Sequence, residues 1–407
     1  MSRPARVVLR KNLARAIRQG HPWLYREALR PAAELGDGDV VEVVTADGRA
    51  LARGYWDATS PIAVRIVSDE HAGDVQAVVA ERVAAALVRR LAFIDLKRTD
   101  AFRWIHGEAD GLPGVHVDVY GQAAVLRFDG GGARVFYRAL PAVLSAVAAQ
   151  HGLNVGAVVE RRRGARGGSE ADGAGEAGGE TAVALLGALP PAEIEVRENG
   201  LRFGVDLAHG QKGGLFLDQR DNRARVGALA AGKRVLNLFG YTGGFSLYAA
   251  AGGASETTTV DVARGAIAAA RGNFARNALD PASAHFFAED AFTFLERAAR
   301  DGRQWDLVIS DPPSFAPSHQ ALPRALGAYR RLHRLCAAVI ASGGLLCAAS
   351  CSSHVDRAAF LATVEQGVRE AGRRWSLRQI DGAGPDHPVA ASFPEGDYLK
   401  FAIGSVE

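Results

Sequence analysis

The sequence predicts a multidomain protein in which a small β domain and an α+β domain precede an α/β domain with a mostly parallel sheet. The chain has 407 residues, which exceeds the length of one ordinary domain. From Glu193 onward, short apolar runs alternate with helical patterns, as is typical of strands covered by helices on both faces. Before that point, the chain reads as a small β domain followed by a segment that combines helices and strands. We therefore expect three domains, over residues 1–75, 76–190 and 191–407.

The first 75 residues have the pattern of a small β-barrel. Asp39–Thr45 and Arg49–Gly54 flank Ala46-Asp47-Gly48, which is a hairpin turn signal, and Ile62–Val67 reads as a further strand. Trp23 lies among basic residues, where it is expected either to stack on nucleic-acid bases or to anchor the core of the barrel.

The positive charge of the chain is concentrated near its beginning. Residues 1–30 contain eight Arg and Lys residues and one acidic residue, Glu27, a local charge of +7 (8 − 1), whereas the whole chain has a net charge of +3. Such a segment suits a polyanionic partner such as RNA. A solvated surface and an Arg-rich transit peptide are the alternative interpretations.

The middle segment combines helices, strands and a glycine-rich stretch. Val75–Leu91 and Val135–His151 have helical patterns, and Val115–Tyr120 and Ala123–Phe128 read as strands. Residues 164–180 are low in complexity and contain no apolar run. Such a segment cannot bury enough surface to offset the entropy of ordering, so we expect a mobile loop there.

A strand, a glycine turn, a helix and a second strand open the α/β domain. Arg234–Phe239 is a short apolar run, and the turn that follows, Gly240–Gly244, has the backbone freedom that lets a ligand approach closely. The next strand, Thr257–Val262, contains Asp261, 18 residues beyond Gly243. Glycines at the first turn and a carboxylate that can bind ribose hydroxyls are what a βαβ nucleotide site needs.

Further reactive side chains follow the later strands. Asp290, Asp311 and Cys351 each come directly after an apolar run that reads as a strand. Because ligands bind at the carboxyl ends of parallel strands, we expect these residues and Asp261 to share one edge of the sheet. Asp311 opens the sequence Asp-Pro-Pro-Ser-Phe, whose rigid turn and aromatic ring suit a methyl donor beside a planar base. An ordinary proline turn is the alternative interpretation.

The three cysteines are expected to differ in role. Cys336 lies at helical spacing with apolar residues and Cys347 lies within a strand, so both are expected in the core. Cys351 lies at a strand end before Ser353–Asp356, a capping-box pattern that predicts a helix whose N-terminus would favour the thiolate. Cys347 and Cys351 are about 13 Å apart at ~3.3 Å per strand residue, too far to share an ion, so no metal is expected.

Several classes of protein are disfavoured by what the sequence lacks. No phosphate loop ending in Gly-Lys-Ser or Gly-Lys-Thr follows a strand, and Gly240–Gly244 fits the dinucleotide fingerprint poorly. No apolar run reaches the length of a membrane span, so no membrane partner is expected. Three cysteines, an odd number in a long chain, argue against a disulfide framework and favour a reducing, cytoplasmic environment.

Several segments together resemble one known family. In the carboxyl-terminal half they are residues 211–220 (QKGGLFLDQR), 235–248 (VLNLFGYTGGFSLY), 311–316 (DPPSFA), 350–354 (SCSSH) and 387–400 (HPVAASFPEGDYLK). These segments resemble the RlmI family of S-adenosylmethionine-dependent 23S ribosomal RNA cytosine-5 methyltransferases. Residues 20–67 resemble that family's PUA RNA-binding domain, and 99–120 its middle domain. The departures are Gly213, where a threonine is usual, and the glycine-rich insert.

The resemblance implies a fold, an activity and a set of site residues. The fold would be a PUA-like β-barrel, an α+β middle domain and a Rossmann-like class I methyltransferase domain. The methyl donor would be S-adenosyl-L-methionine and the partner 23S ribosomal RNA, with the oligomeric state left open, a homodimer included. Cys351 would be the nucleophile, and Asp311 would face both the donor and the base. The implied donor site consists of Phe216, Asp218, Gln219, Arg220, Asn237, Phe239, Tyr241, Gly243, Asp261, Asp290 and Asp311.

Two other functions remain open on sequence grounds. A methyltransferase that acts on an exocyclic amine of guanine or adenine uses a motif similar to Asp311–Phe315 and needs no cysteine. The Ser350-Cys351-Ser352 sequence favours cytosine instead. A non-catalytic RNA-binding factor would keep the fold and use the basic amino terminus, and the intact donor-site residues disfavour it.

Overall fold

A computed structural model of the chain describes residues 4–69, 74–163, 180–207, 214–316 and 318–407. The chain forms two compact units. Unit 1 comprises residues 1–197, 205–213 and 385–396, and unit 2 comprises residues 198–204, 214–384 and 397–407. The segment predicted as a mobile loop, 164–180, lies outside the described residues except for Glu180, which begins a strand.

Unit 1 begins with a six-stranded mixed sheet. Its strands, in the spatial order β2-β6-β5-β4-β1-β3, are β1 Ala5–Leu9, β2 Trp23–Tyr25, β3 Leu29–Pro31, β4 Val40–Val44, β5 Ala50–Trp56 and β6 Ile62–Asp69, with helix α1 Ala14–Arg18 after β1. The hairpin predicted around Ala46-Asp47-Gly48 is confirmed, because β4 and β5 pair antiparallel across it. Gly48 has a φ of +82°, which favours glycine at this turn.

A five-stranded sheet with three helices follows in unit 1. Its elements are α2 Val75–Leu91, β7 Ala101–His106, β8 Val115–Tyr120, β9 Ala123–Phe128, α3 Gly131–Phe136, α4 Leu140–Gln150, β10 Ala157–Arg163 and β11 Glu180–Leu186, in the strand order β11-β10-β9-β8-β7. A hairpin of β12 Ile194–Glu198 and β13 Leu201–Val205 comes next along the chain. The single helix predicted over Val135–His151 is wrong, since α3 and α4 are separate helices and Pro141 lies in the first turn of α4.

Part of the six-stranded sheet packs into the hydrophobic core of the five-stranded sheet. Tyr55 of β5 belongs to the same buried cluster as Trp104 of β7 and Leu144 of α4. Its ring stacks on Phe136 with 4.6 Å between the centroids, and its hydroxyl donates a hydrogen bond of 2.8 Å to the carbonyl of Pro113. Most buried apolar residues of the six-stranded sheet, however, form a hydrophobic cluster of their own. The division into three domains, with a boundary at residue 75, stays a prediction.

Unit 2 is built on a seven-stranded sheet in the order β16-β15-β14-β17-β18-β20-β19. Its elements are α5 Arg220–Leu229, β14 Arg234–Leu238, α6 Gly244–Ala251, β15 Glu256–Asp261, α7 Arg264–Arg276, β16 Ala284–Ala288, α8 Ala291–Arg300, β17 Trp305–Ser310, α9 Leu322–Ala338, β18 Ile340–Ser350, α10 Arg357–Glu370, β19 Trp375–Asp381 and β20 Lys400–Val406. Strands β14 to β18 are mutually parallel, and β20 runs antiparallel to both β18 and β19. The mostly parallel sheet predicted from the sequence is confirmed.

Both faces of this sheet are covered by helices. Leu236 and its neighbour across the strands, Val308, share a buried cluster with residues of α8, α9 and α10. Val235 and Leu307, the preceding pair, share another cluster with Val226 of α5 and residues of α6. Successive residues thus pack on opposite faces, which explains why these strands read as continuous apolar runs.

Candidate active site

The glycine turn after β14 has strained backbone geometry. Phe239 and Tyr241 have φ angles of +55° and +46°, in the left-handed region that aromatic residues rarely adopt. Gly243, with φ of +79°, is the N-cap residue of α6. The carboxylate of Asp261, at the end of β15, accepts a hydrogen bond of 2.9 Å from the N–H of Tyr241. Backbone strain that is stabilised by a neighbouring element is characteristic of turns at functional sites.

Beneath this turn lies a small polar network. The Asn237 side chain is 1% exposed, and its amide donates a hydrogen bond of 3.0 Å to the Ser246 hydroxyl. The Thr259 hydroxyl donates to the same oxygen at 2.7 Å. A Cβ atom at Gly240 would lie 2.6 Å from the Thr259 methyl group, so only glycine fits there. Asn237 therefore supports the turn from below.

The segment before α5 connects to the strand ends of the sheet. The Gln219 side chain donates a hydrogen bond of 2.9 Å to the Asp311 carboxylate, and its own oxygen accepts from Asn222 at 2.6 Å. The ring of Phe216 meets Tyr241 edge-on, with 5.3 Å between the centroids. Phe216 thus lies at the turn after β14, and Gln219 at the end of β17.

Three other predicted donor residues have clear structural partners. Asp218 accepts a hydrogen bond of 2.6 Å from the Tyr398 hydroxyl, and the Arg220 guanidinium lies 3.1 Å from Asp221. Asp290 is the N-cap of α8, where its carboxylate accepts a hydrogen bond of 3.0 Å from the N–H of Thr293. The position of Asp290 after β16 agrees with prediction, and one of its carboxylate oxygens serves the helix cap.

The segments that follow β17 and β18 are joined to each other. The Ser352 hydroxyl donates a hydrogen bond of 3.2 Å to the carbonyl of Ala316. Tyr329 of α9 forms a second connection, because its hydroxyl lies 3.0 Å from that of Ser350 and its ring centroid 4.8 Å from that of Phe315. These contacts fix the Ser350–Ser352 segment beside the turn that begins at Asp311.

The charges of Cys351 and Asp311 both act on the hydroxyl of Tyr329. Burial raises the pKa of Tyr329 to about 12, and the charges of Cys351 and Asp311 act in the same direction. Both groups therefore lie within electrostatic range of one hydroxyl. That the ends of β17 and β18 bring an acid and a thiol together as one site stays a prediction.

The three cysteines differ in exposure, and none forms a disulfide. Cys336 and Cys347 are fully buried, and burial raises the pKa of each thiol to about 12. Cys351 is partly exposed. Of the three thiols, the one after β18 is therefore the one placed to meet a substrate.

One sequence argument about Cys351 is wrong. The predicted capping box would have begun the next helix at Ser353, but the N-cap residue of α10 is Asp356, whose carboxylate accepts a hydrogen bond of 2.7 Å from the N–H of Ala359. Since the influence of a helix dipole falls off within the first turn, the N-terminus of α10 is a weak source of positive potential at Cys351.

Trp23, the candidate for base stacking, has its own partners within unit 1. Its indole N–H donates a hydrogen bond of 2.8 Å to the Glu108 carboxylate, and its ring packs edge-on against Phe393 at 4.6 Å. The neighbouring Tyr25 is 48% exposed. The anchoring interpretation of Trp23 is favoured, and Tyr25 is the aromatic ring that offers an open face.

The contacts that connect the two strand ends were not visible in the sequence. Ser350 and Ser352 were noted only as neighbours of Cys351, and Tyr329 was missed because it lies in a helix where only the helical pattern was visible. Lys400, the first residue of β20, donates a hydrogen bond of 2.6 Å to the carbonyl of Ser352. It lies in the segment 387–400, so the resemblance marked the position without giving it a role.

No group of three or more His, Cys, Asp or Glu side chains within the described ranges could hold a metal ion. Among these residues, no helix is long and apolar enough to cross a membrane.

The fold and the site define a class of protein, the S-adenosylmethionine-dependent methyltransferases. A family model with that description matches residues 178–391, and a model described as a PUA-like domain matches residues 7–69. The matched region contains the parallel sheet, the glycine turn and the segments around Asp311 and Cys351.

The chain belongs, within this class, to the family of ribosomal RNA large subunit methyltransferase I. A protein of Alteromonas mediterranea with that name is 34% identical over 99% of this chain and 99% of its own length. A Deinococcus radiodurans protein named ribosomal RNA large subunit methyltransferase is 37% identical over 94% of this chain and 93% of its own. The crystal structure of SMU.776, described as a methyltransferase complexed with SAH, matches with a TM-score of 0.81 at 25% identity, covering 99% of this chain and 100% of that one.

The polar groups at the glycine turn fit the methyl donor of this class. Asn237 Oδ1 is buried and has no hydrogen-bond partner among the described residues, so one acceptor remains at the turn. Each oxygen of the Asp261 carboxylate accepts one backbone N–H, from Tyr241 and from Ala263, both at 2.9 Å. A carboxylate has about four acceptor sites, so Asp261 keeps capacity for hydroxyl groups.

Proposed function

We propose that the protein transfers a methyl group from S-adenosylmethionine to carbon 5 of a cytosine in 23S ribosomal RNA, through a covalent adduct with Cys351. The observation that carries this proposal is the attachment of the Ser350–Ser352 segment to the turn that begins at Asp311, through Ser352 and Ala316. It brings a partly exposed thiol and a carboxylate to neighbouring strand ends. Curated relatives that match almost the whole chain are named as methyltransferases of large-subunit ribosomal RNA.

The donor site would be formed by the glycine turn and the segment before α5. Asp261 would accept hydrogen bonds from ribose hydroxyls, and Asp290 would contact the adenine with the carboxylate oxygen that does not cap α8. The remaining members would enclose the rest of the donor: Phe216, Asp218, Gln219, Arg220, Asn237, Phe239, Tyr241 and Gly243. S-adenosylmethionine, when bound, supplies an electrophilic methyl group.

A cysteine is needed because carbon 5 of cytosine is a poor nucleophile. Addition of the Cys351 thiolate to carbon 6 forms a carbon–sulfur bond and moves the electron pair of the double bond toward carbon 5. That carbon can then take the methyl group. A base, for which water is sufficient in kind, then takes the proton from carbon 5; the electron pair of that C–H bond restores the double bond, and the carbon–sulfur bond breaks to release the thiolate. The target base must be unpaired or flipped out of a helix to reach the thiol, at a cost of a few kcal/mol.

Asp311 would stabilise the charge that develops on the ring during this addition. Its carboxylate is held by the Gln219 amide, a hydrogen bond that fixes its direction. A hydrogen bond or proton shared with a ring nitrogen of the base would favour the adduct. Asp311 would thereby act on the base while Cys351 forms the covalent bond.

Affinity for RNA would come largely from the basic amino-terminal segment. Arg15 and Arg18 of α1 are exposed, as is the ring of Tyr25, and such groups suit phosphates and unstacked bases. Arg26 contributes less, because its guanidinium lies 5.0 Å from the centroid of the Trp56 ring and donates to the carbonyls of Asp57 and Ser60.

The proposed product can be identified by mass spectrometry of ribosomal RNA nucleosides. In a strain that lacks the gene, the wild-type protein and Cys347→Ala are expected to restore one 5-methylcytidine in 23S RNA, whereas Cys351→Ala is not. Cys347→Ala is the matched control because it removes a buried thiol of the same domain. A restored methylguanine or methyladenine would instead identify an amine methyltransferase. RNA that is unchanged by the gene would favour a non-catalytic binding factor.

A further inference from the structure

The thiolate form of Cys351 needs a source of positive potential that the helix α10 does not supply. The first residue of α10 is Arg357, six residues after Cys351 (357 − 351). Another cation, Lys400, lies beside the Ser350–Ser352 segment. This lysine begins β20 and is paired in register with Ser350 of β18.

The Lys400 side chain is hydrogen-bonded to the backbone next to Cys351. Its ammonium donates a hydrogen bond of 2.6 Å to the carbonyl of Ser352 and one of 2.9 Å to the carbonyl of Tyr398. The residue is only 3% exposed. Since β20 holds Ser350 by strand pairing and the ammonium holds Ser352, the backbone is fixed on both sides of Cys351.

The charge of Lys400 is not neutralised by these hydrogen bonds, because both acceptors are carbonyl oxygens. Burial lowers the pKa of Lys400, the charges of Asp397, Cys351 and Asp356 raise it, and that of Arg357 lowers it. Of these four charged neighbours, only Cys351 belongs to the proposed chemistry. An attraction that favours the ammonium near a thiolate must favour the thiolate near the ammonium to the same extent.

We propose that Lys400 is the positioning residue for Cys351, fixing the Ser350–Ser352 backbone and supplying the positive charge that favours the thiolate. The inference rests on the proposed function, in which that thiolate adds to a cytosine. In this role Lys400 acts through the cysteine and touches neither the base nor the methyl donor. Cationic neighbours are a general means of keeping a cysteine in its reactive form.

Alkylation of the thiol with iodoacetamide at a series of pH values tests the electrostatic part. In Lys400→Met the midpoint of the rate against pH is expected to rise by roughly one unit, because a nearby opposite charge shifts such equilibria by that amount or more. Lys400→Arg keeps the charge and is expected to return the midpoint toward the wild-type value. Lys233→Met, which removes a lysine before β14 at the opposite edge of the sheet, is the control. An unchanged midpoint in Lys400→Met, with slower alkylation at every pH, would mean a structural role only and would overturn the proposal.

A second measurement uses no Lys400 variant, so it does not depend on whether such a variant folds. In protein labelled with ¹³C and ¹⁵N in lysine, the Lys400 ammonium is titrated by NMR in the wild type and in Cys351→Ala. Its signal is assigned by elimination from Arg substitutions at the other lysines. Loss of the thiolate is expected to lower the titration midpoint of Lys400, because the reciprocal attraction is lost. An identical midpoint in the two proteins contradicts the proposal.

These readouts separate the inference from the function on which it rests. If Cys351 is not the nucleophile, the protein forms no covalent adduct with a trapping base, yet both midpoints still respond to the substitutions. If Lys400 has no part in favouring the thiolate, the adduct forms normally and neither midpoint moves.

Discussion

At the scale of the single residue, Asp261 holds the strained turn and is also the proposed acceptor for the ribose hydroxyls. Its carboxylate accepts hydrogen bonds from the N–H groups of Tyr241 and Ala263, so it holds the strained turn and fixes the chain after β15. The same carboxylate is the group that would bind the ribose of the donor. The position of Asp261 was predictable from its spacing to Gly243. Its role in holding Tyr241 was not, because a left-handed φ at an aromatic residue has no signal in the sequence.

Asp261→Ala is expected to weaken binding of S-adenosylmethionine by roughly 1–3 kcal/mol, the cost of leaving buried hydroxyl groups without an acceptor. Isothermal titration calorimetry below the melting temperature measures this directly. Asp301→Ala removes an exposed carboxylate after α8 and is expected to leave the Kd unchanged. An unchanged Kd in Asp261→Ala would exclude this residue from the donor site.

At the scale of the element, the start of α10 shows an ambiguity of sequence patterns, because two residues could each be the N-cap. Ser353 and Asp356 fit a capping box, but Asp356 itself has the extended φ and ψ of an N-cap residue and bonds to the N–H of Ala359. Val355, directly before it, is fully buried. Tertiary packing of Val355 thus favours the later of two capping residues that are nearly equal in intrinsic preference.

Asp356→Ala is expected to lower the free energy of unfolding by about 1 kcal/mol, because one N–H at the start of α10 loses its acceptor. Ser353→Ala is expected to change it by less than about 0.5 kcal/mol, as for other exposed positions. Denaturant unfolding of the two variants gives the comparison. A larger loss in Ser353→Ala than in Asp356→Ala would restore the capping box as predicted.

Most strands of unit 2 could be read from the sequence, whereas several strands of unit 1, among them β1, β2, β3, β10 and β11, could not. The apolar runs of β14 and β17 have the length and composition of buried strands. Strand β10 contains Arg161 and Arg162, which resemble a solvated run, yet Arg162 and Arg134 both pair with the buried carboxylate of Glu160. A charged strand of this kind is stabilised by partners distant in sequence, so local patterns do not reveal it.

At the scale of the whole molecule, the proposed function assigns RNA binding and chemistry to different units. The exposed basic residues Arg15 and Arg18 belong to unit 1, and the strand ends that carry Asp311 and Cys351 belong to unit 2. The placement of Asp311 and Cys351 at one edge of the sheet was predictable, because the carboxyl ends of parallel strands all lie at the same edge. The contacts of Tyr329 with Phe315 and Ser350, which connect the ends of β17 and β18, were not, and neither was the hydrogen bond from Lys400 to Ser352, since these partners are set only by the fold.

The central claim is a covalent bond between Cys351 and the target base, and trapping on 5-fluorocytosine tests it most directly. Fluorine cannot leave carbon 5 as a cation, so the elimination that normally releases the thiolate is blocked after one methyl transfer. Ribosomal RNA transcribed with 5-fluorocytidine is therefore expected to remain attached to the protein on a denaturing gel, only when S-adenosylmethionine is present. Cys336→Ala and Cys347→Ala should trap normally, and Cys351→Ala should give no adduct. Full methylation of unmodified RNA by Cys351→Ala, with no adduct formed by the wild-type protein, would contradict the account.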